Sequence, residues 1–279
     1  MLRCVVGRWC SRPTGNQDKT KIVKRGLFIT LEGVDGSGKS TQLPLLVSYL
    51  ESRGYQVCAT REPGGTALGE QVRRILLTAP EARPQASGRR PRLEAVTPLA
   101  ELALLYAARA QHLAEVVRPA LTHGKIVVSD RFNDASLAYQ GYGRKLGVAT
   151  VRVFDRIVCG LTQPDLTIVL DIPAPLALSR ALDRESRRNS RLSRFEKEGL
   201  NFQRRVRAGY LKIAQQAPRR VKVVEANRAA DEVQADVRTL VDQVLKRWQV
   251  AADQTSKAKK SQMKTARVTW ACAAVSERP

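Results

Sequence analysis

The chain has 279 residues, 43% of them hydrophobic, and a formal charge of +22 from 48 Lys and Arg against 26 Asp and Glu. That length accommodates one domain of about 200–250 residues with extra segments, and no apolar run approaches the ~20 residues of a membrane span, so no membrane partner is expected. Five scattered cysteines, without C-x-x-C spacing, speak against a disulfide framework or a zinc site and favour a reducing compartment. Residues 1–24 have no acid before Asp18 and no long apolar stretch. They read as a basic, unstructured extension or a misplaced start on a cytoplasmic protein, with an organelle transit peptide as the alternative.

The apolar run GLFITLE (26–32) predicts a first strand, and GVDGSGKST follows it directly. Three glycines in so short a stretch point to tight turning or a close-lying ligand. The string fits G-x-x-x-x-G-K-[ST], and the helical pattern TQLPLLVSYLESRG comes next. Backbone N–H groups of Gly33, Val34, Asp35, Gly36, Ser37, Gly38, Lys39, Ser40 and Thr41 would then cradle nucleotide phosphates at a helix N-terminus. Lys39 would reach the terminal phosphates, and the Ser40 hydroxyl would ligate Mg²⁺. YQVCATR (55–61) predicts a second strand that exits into Arg61, Glu62 and a Pro63-Gly64-Gly65 turn, with Arg73 on the next helix. The Pro-, Gly- and Arg-rich residues 81–96 read as an exposed loop. A long helix starts at Thr97-Pro98 and stops near Gly124.

KIVVSD (125–130) predicts the third strand, ending in Asp130-Arg131. An acid at a strand end facing a phosphate loop suits Mg²⁺, and the adjacent arginine can clamp a phosphate bidentately; a surface ion pair is the alternative. DLTIVLDI (165–172) and RVKVVEA (220–226) complete five strands. Strands alternating with helices imply an α/β fold: a three-layer, doubly wound, five-stranded parallel sheet. After the fourth strand, Arg180, Arg184, Arg187, Arg188, Arg191 and Arg194 outnumber the nearby acids. A flap at about 180–196 closing over polyphosphate accounts for that charge better than a solvated helix face. Residues 250–279 read as a disordered basic tail. The two ends and residues 179–212 together supply 17 of the 22 net charges. The rest is mildly basic, so no nucleic-acid partner is expected.

The motifs LEGVDGSGKST, TREPGGT, ELALLYAARAQH, DRFNDASLAYQGYGR, PDLTIVLD and RFEKEGLNFQRRVRAGYL together resemble bacterial thymidylate kinase, within the P-loop nucleoside monophosphate kinases. The resemblance covers roughly residues 26–246; the kinase domain is set at 25–249. It implies a P-loop NTPase fold with an Arg-rich lid, transfer of the ATP γ-phosphate to dTMP with Mg²⁺ in dTTP biosynthesis, and a homodimer. It also implies that Arg131 and Arg73 grip the dTMP phosphate, and that Asp35 addresses the acceptor sugar. Arg109 and Gln140 would hydrogen-bond thymine, with Ser136 and Leu105 on the same side. Arg188 or Arg191 would be the catalytic lid arginine, beside Lys39, Asp35 and Arg131. Three departures stand out. The lid reads Ser193-Arg194-Phe195-Glu196 where the family usually has D-R-[FIL]-E, and the 81–96 loop looks longer than usual. The aromatic expected four residues before Arg109 is Leu105, with Tyr106 displaced by one. Another P-loop nucleotide kinase, or a nucleic-acid-stimulated P-loop ATPase, is the alternative.

Overall fold

The computed structural model describes residues 25–78, 96–187 and 198–250. The terminal extensions, most of the 81–96 loop and most of the lid, including Arg188 and Arg191, lie outside them. Five short strands pair in parallel in the order β2-β3-β1-β4-β5: β1 (Phe28–Glu32), β2 (Val57–Arg61), β3 (Ile126–Asp130), β4 (Leu166–Asp171) and β5 (Val221–Glu225). β1 is buried along its whole length, as expected of a central parallel strand covered on both faces. All five apolar runs therefore form the strands expected of them, each trimmed by a residue or two.

Successive strand residues point to opposite faces, and β1 shows what covers each. Phe28 meets Phe132 edge-on at 4.9 Å, and Thr30 Oγ1 pairs with Thr167 Oγ1 at 2.9 Å. Glu32, at the end of the same face, accepts a hydrogen bond from the Tyr210 hydroxyl. That face is covered by the short helix α5 (Asn133–Ser136), its π-helical continuation Leu137–Gly143, and α8 (Gly199–Gln216). α8 packs tightly on the π segment: a Cβ on Gly143 would lie 2.8 Å from the Phe202 ring, and one on Gly209 would lie 2.7 Å from Tyr142. α1 (Lys39–Ser52) and α9 (230–250) pack on each other, tied by Gln42 Nε2 to the Ala230 carbonyl and by Tyr49 to Asp242.

The long helix begins as expected. Thr97 caps it by accepting from the Ala100 N–H, Pro98 opens it, and α3 (Pro98–His112) runs on through a π turn, Leu113–Val117, into α4 (Arg118–Thr122). α2 (Ala67–Thr78) lies against α3, burying Val72, Leu76 and Ala108 in a small separate cluster. α6 (Val148–Val158) and α7 (Ala174–Arg187) complete the described helices. The register pairs Leu31 with Asp130, Arg61 with Asp130, and Glu32 with Val169. The carboxyl ends of β1, β2 and β3 thus lie level, which is where ligands sit in such sheets.

Candidate active site

The loop between β1 and α1 has Gly33, Gly36 and Gly38 at φ values of +134°, +83° and +97°. A Cβ on Gly36 would stand 2.2 Å from the Ala177 carbonyl oxygen, so both backbone angle and space demand glycine there. Gly38 is different: a Cβ would meet nothing within 4 Å. Its requirement is conformational, and the open space lies where α1 starts. Lys39 is only 6% exposed, and its Nζ donates to the carbonyls of Gly33 (3.1 Å) and Val34 (2.9 Å) and to Ser37 Oγ (3.4 Å). Burial, with the Arg131 charge adding to it, pushes the Lys39 ammonium down to about 8. Val34 and Ser37 are buried, whereas Ser40 and Thr41 are exposed at the helix start.

Arg131 ties β3 to this loop. It holds φ +72°, unusual for a residue with a side chain. Its Nη1 donates to the Gly33 carbonyl at 2.9 Å and to the Tyr210 hydroxyl at 3.0 Å. Nη2 donates to Asp35 Oδ1 at 2.8 Å and to the Tyr139 hydroxyl at 3.0 Å. The guanidinium lies over the Tyr139 ring, 4.8 Å from its centroid. Burial would raise the Asp35 carboxyl, but Arg131, Lys39 and the Tyr139 hydroxyl outweigh it and hold it below its ordinary value. Glu32 is fully buried beneath, accepting from the Phe132 N–H at 2.7 Å and the Tyr210 hydroxyl at 2.8 Å, and burial raises its carboxyl to about 7. Asp130 Oδ1 is buried with no hydrogen-bond partner among the described residues. An orphan carboxylate oxygen at the end of β3, whose charge acts on Lys39 of the phosphate loop, fits Mg²⁺, which takes few protein ligands and completes its shell with water and phosphate. No cluster of three or more His, Cys, Asp or Glu able to hold a metal occurs among the described residues.

A second cluster lies between α3 and the α5–π segment. Arg109 is 2% exposed. Its Nε donates to Glu62 Oε2 at 2.7 Å, and its Nη2 donates to the Phe132 carbonyl and Ser136 Oγ, both at 3.0 Å. The Tyr106 ring sits 4.4 Å from its guanidinium carbon. His112 joins the same carboxylate, with Nδ1 2.8 Å from Glu62 Oε1 and Nε2 2.6 Å from Thr60 Oγ1. Gln140 Nε2 donates to Glu101 Oε1 at 2.8 Å, and Arg144 grips both oxygens of that carboxylate at 3.2 and 3.1 Å. Arg109 Nη1 and Gln140 Oε1 are each buried without a hydrogen-bond partner among the described residues. Leu105 is half-buried against the small α2–α3 cluster, while Tyr106 is 1% exposed and packs on Phe154. Arg73, on α2, donates to the Pro63 carbonyl at 3.2 Å.

The expected residues therefore fall into two groups. Asp35 and Arg131 are joined directly, Lys39 meets Arg131 at the shared Gly33 carbonyl, and Asp130 ends β3 just before Arg131; Arg109 and Ser136 are joined, with Gln140 on the same helical segment. The sequence reading passed over Glu32, Tyr139, Tyr210, Glu101, Arg144 and His112. Only Glu32, immediately before the glycine-rich loop, carried a local hint.

The family model described as thymidylate kinase matches residues 31–237. The chain belongs to the thymidylate kinase family. Thymidylate kinase from Pseudomonas savastanoi pv. phaseolicola (strain 1448A / Race 6) is 47% identical over 220 residues, spanning 79% of this chain and 97% of the relative. Thymidylate kinase from Syntrophotalea carbinolica is 47% identical over 207 residues, or 74% and 90% of the two chains. The crystal structure of thymidylate kinase from Ehrlichia chaffeensis aligns with a TM-score of 0.57 at 33% identity, covering 78% of this chain and 98% of that one. No helix among the described residues is long and apolar enough to cross a membrane.

Proposed function

We propose that this protein transfers the γ-phosphate of ATP to dTMP, giving dTDP and ADP in dTTP biosynthesis. Its working unit is the domain 25–249, placed in the cytoplasm and paired as a homodimer. The observation that best supports a kinase reading is the cluster joining the phosphate loop to β3. Lys39 sits among loop carbonyls, as a cation would before it transfers to nucleotide phosphate, and Arg131 reaches the same loop from the acceptor side. Family membership specifies dTMP.

In this reading residues Gly33–Thr41 bind the ATP phosphates through backbone N–H groups, and Lys39 neutralises charge that develops during transfer. Ser40 and Asp130 hold Mg²⁺, which when bound screens the phosphate oxygens. Arg131 and Arg73 bind the dTMP phosphate, and Asp35 accepts from the acceptor sugar. The acceptor phosphate is already an anion, so positioning and neutralisation suffice and no general base is required. Thymine offers an N3–H donor and an O4 acceptor. Gln140 Oε1 and Arg109 Nη1 are the complementary acceptor and donor, with Leu105 covering the base and Ser136 holding Arg109. Arg188 or Arg191 supplies the lid cation.

The test is a coupled ADP-release assay across dTMP, dUMP, dCMP and dGMP. Turnover with dTMP well above the others supports the assignment, and turnover indifferent to dTMP refutes it.

A further inference from the structure

We infer that Glu101 is a specificity-determining positioning residue: by fixing which end of the Gln140 amide faces the base, it makes the enzyme reject cytosine nucleotides. The inference rests on the dTMP kinase reading and deepens it.

An amide can present either its oxygen or its NH₂, and the two ends are nearly isosteric. A glutamine alone would therefore serve thymine through its oxygen or cytosine through its nitrogen. Here the choice is removed. Glu101 is fully buried, with Arg144 paired to both of its oxygens, so it offers Gln140 an acceptor and no donor. Gln140 must turn its Nε2 toward Glu101, at 2.8 Å, and its Oε1 is left as the end without a hydrogen-bond partner among the described residues. Reversing the amide would set two buried oxygens against each other and leave an NH₂ unmatched, which costs far more than the preserved arrangement.

The spacing on the two helices supports the pairing. Glu101, Leu105 and Arg109 recur every four residues along α3, and Ser136, Gln140 and Arg144 do so along the facing segment. Contacts cross between the two rows at both ends: Arg109 to Ser136 at 3.0 Å, and Arg144 to Glu101 at 3.1 Å. Leu105 and Gln140 occupy the middle of the two rows. A base placed there meets one acceptor, Gln140 Oε1, and one donor, Arg109 Nη1. Thymine and uracil match both. Cytosine inverts both, placing its N3 lone pair against the amide oxygen and its amino group against the guanidinium. Arg144 also pairs with Glu198, the residue before α8, so the anchor for this orientation reaches the element that follows the lid.

The experiment measures kcat/KM for dTMP, dUMP and dCMP in Glu101→Gln, Glu101→Asp and Gln140→Met. Glutamine at 101 can accept or donate, and aspartate keeps the charge opposite Arg144 but withdraws by one carbon–carbon bond; both free the Gln140 amide. The dTMP:dCMP ratio should fall about 10- to 100-fold in each, the scale of one mismatched buried hydrogen bond. The dTMP:dUMP ratio and the ATP KM should stay unchanged, because uracil presents the same edge as thymine. Gln140→Met should lower the dTMP:dCMP ratio on its own, and adding Glu101→Gln should lower it no further. A merely structural role would depress all substrates together. An unchanged dTMP:dCMP ratio in any one folded variant, or an equal fall in both ratios, overturns the inference. A wild-type enzyme that does not phosphorylate dTMP would instead remove the reading on which it rests.

Discussion

Replacing Glu62 by Gln tests whether the buried carboxylate is what holds Arg109 in place. Glu62 accepts from Arg109 Nε at 2.7 Å on one oxygen and pairs with His112 Nδ1 at 2.8 Å on the other, and all three side chains are at most 4% exposed. The amide keeps an oxygen for Arg109 and offers NH₂ to His112. The imidazole can receive it by changing tautomer, since Thr60 Oγ1 at 2.6 Å can donate or accept. Shape is thus preserved and only the charge is lost. Removing one partner of a buried ion pair costs about 3–5 kcal/mol, and the surviving hydrogen bonds bring the expected loss to about 2–3 kcal/mol. At about 2–4 °C per kcal/mol for a domain of this size, Tm should drop roughly 5–10 °C. The dTMP KM should rise while the ATP KM does not. Burial alone would raise the Glu62 carboxyl, but Arg109 and His112 outweigh it and hold it below its ordinary value. Its contribution to stability is therefore present above about pH 4.5 and lost as pH falls through the lower folded value. Urea denaturation from pH 8 to pH 3.5 should show a constant gap between wild type and variant that shrinks below about pH 4.5. A loss under about 1 kcal/mol at pH 7, or a gap that widens in acid, would show that the Glu62 carboxylate is not what holds Arg109.

Lys39→Ala should lower kcat by at least about 10²–10³-fold, the usual cost of removing one preorganised donor, with an unchanged far-UV circular dichroism spectrum; near-normal turnover would dismiss the phosphate-loop role. Leu105→Phe adds a ring against the base, worth roughly 0.5–1.5 kcal/mol, and should lower the dTMP KM about 2- to 10-fold at constant ATP KM. Tyr106→Leu, at a site 1% exposed, should act mainly on Tm; control of dTMP affinity by Tyr106 would show that α3 is turned by one residue. Burial raises the Glu32 carboxyl to about 7, so Glu32 favours the fold below the unfolded value near 4.5 and that contribution is lost as pH rises through 7. Glu32→Gln should gain stability relative to wild type between pH 4.5 and pH 8, by at most about 3 kcal/mol; a pH-independent difference counts against the burial argument.

The sheet was legible because parallel strands buried on both faces are apolar throughout, and KIVVSD and DLTIVLDI carry that mark without ambiguity. So was the phosphate loop, whose glycines answer to local backbone angles. The long helix was read as one run, but nothing in LAEVV or LAYQGYG announces the π-helical turns at Leu113–Val117 and Leu137–Gly143. A shift from one hydrogen-bond register to the next depends on what packs outside the helix. Arg131 could be named from its place after β3, yet its partner Tyr210 lies 79 residues away, and Tyr210 meets Glu32 across 178. No spacing rule spans such distances. The Glu101–Gln140 contact is intermediate: each helix shows its four-residue row, but only the fold sets the two rows face to face.

The dTMP kinase assignment is tested by following label from γ-³²P-ATP in the presence of dTMP, with and without single-stranded DNA. Label should appear in dTDP in step with ADP, with no excess inorganic phosphate released and no effect of DNA. Label released as inorganic phosphate without dTDP, at a rate raised by DNA, would contradict the assignment.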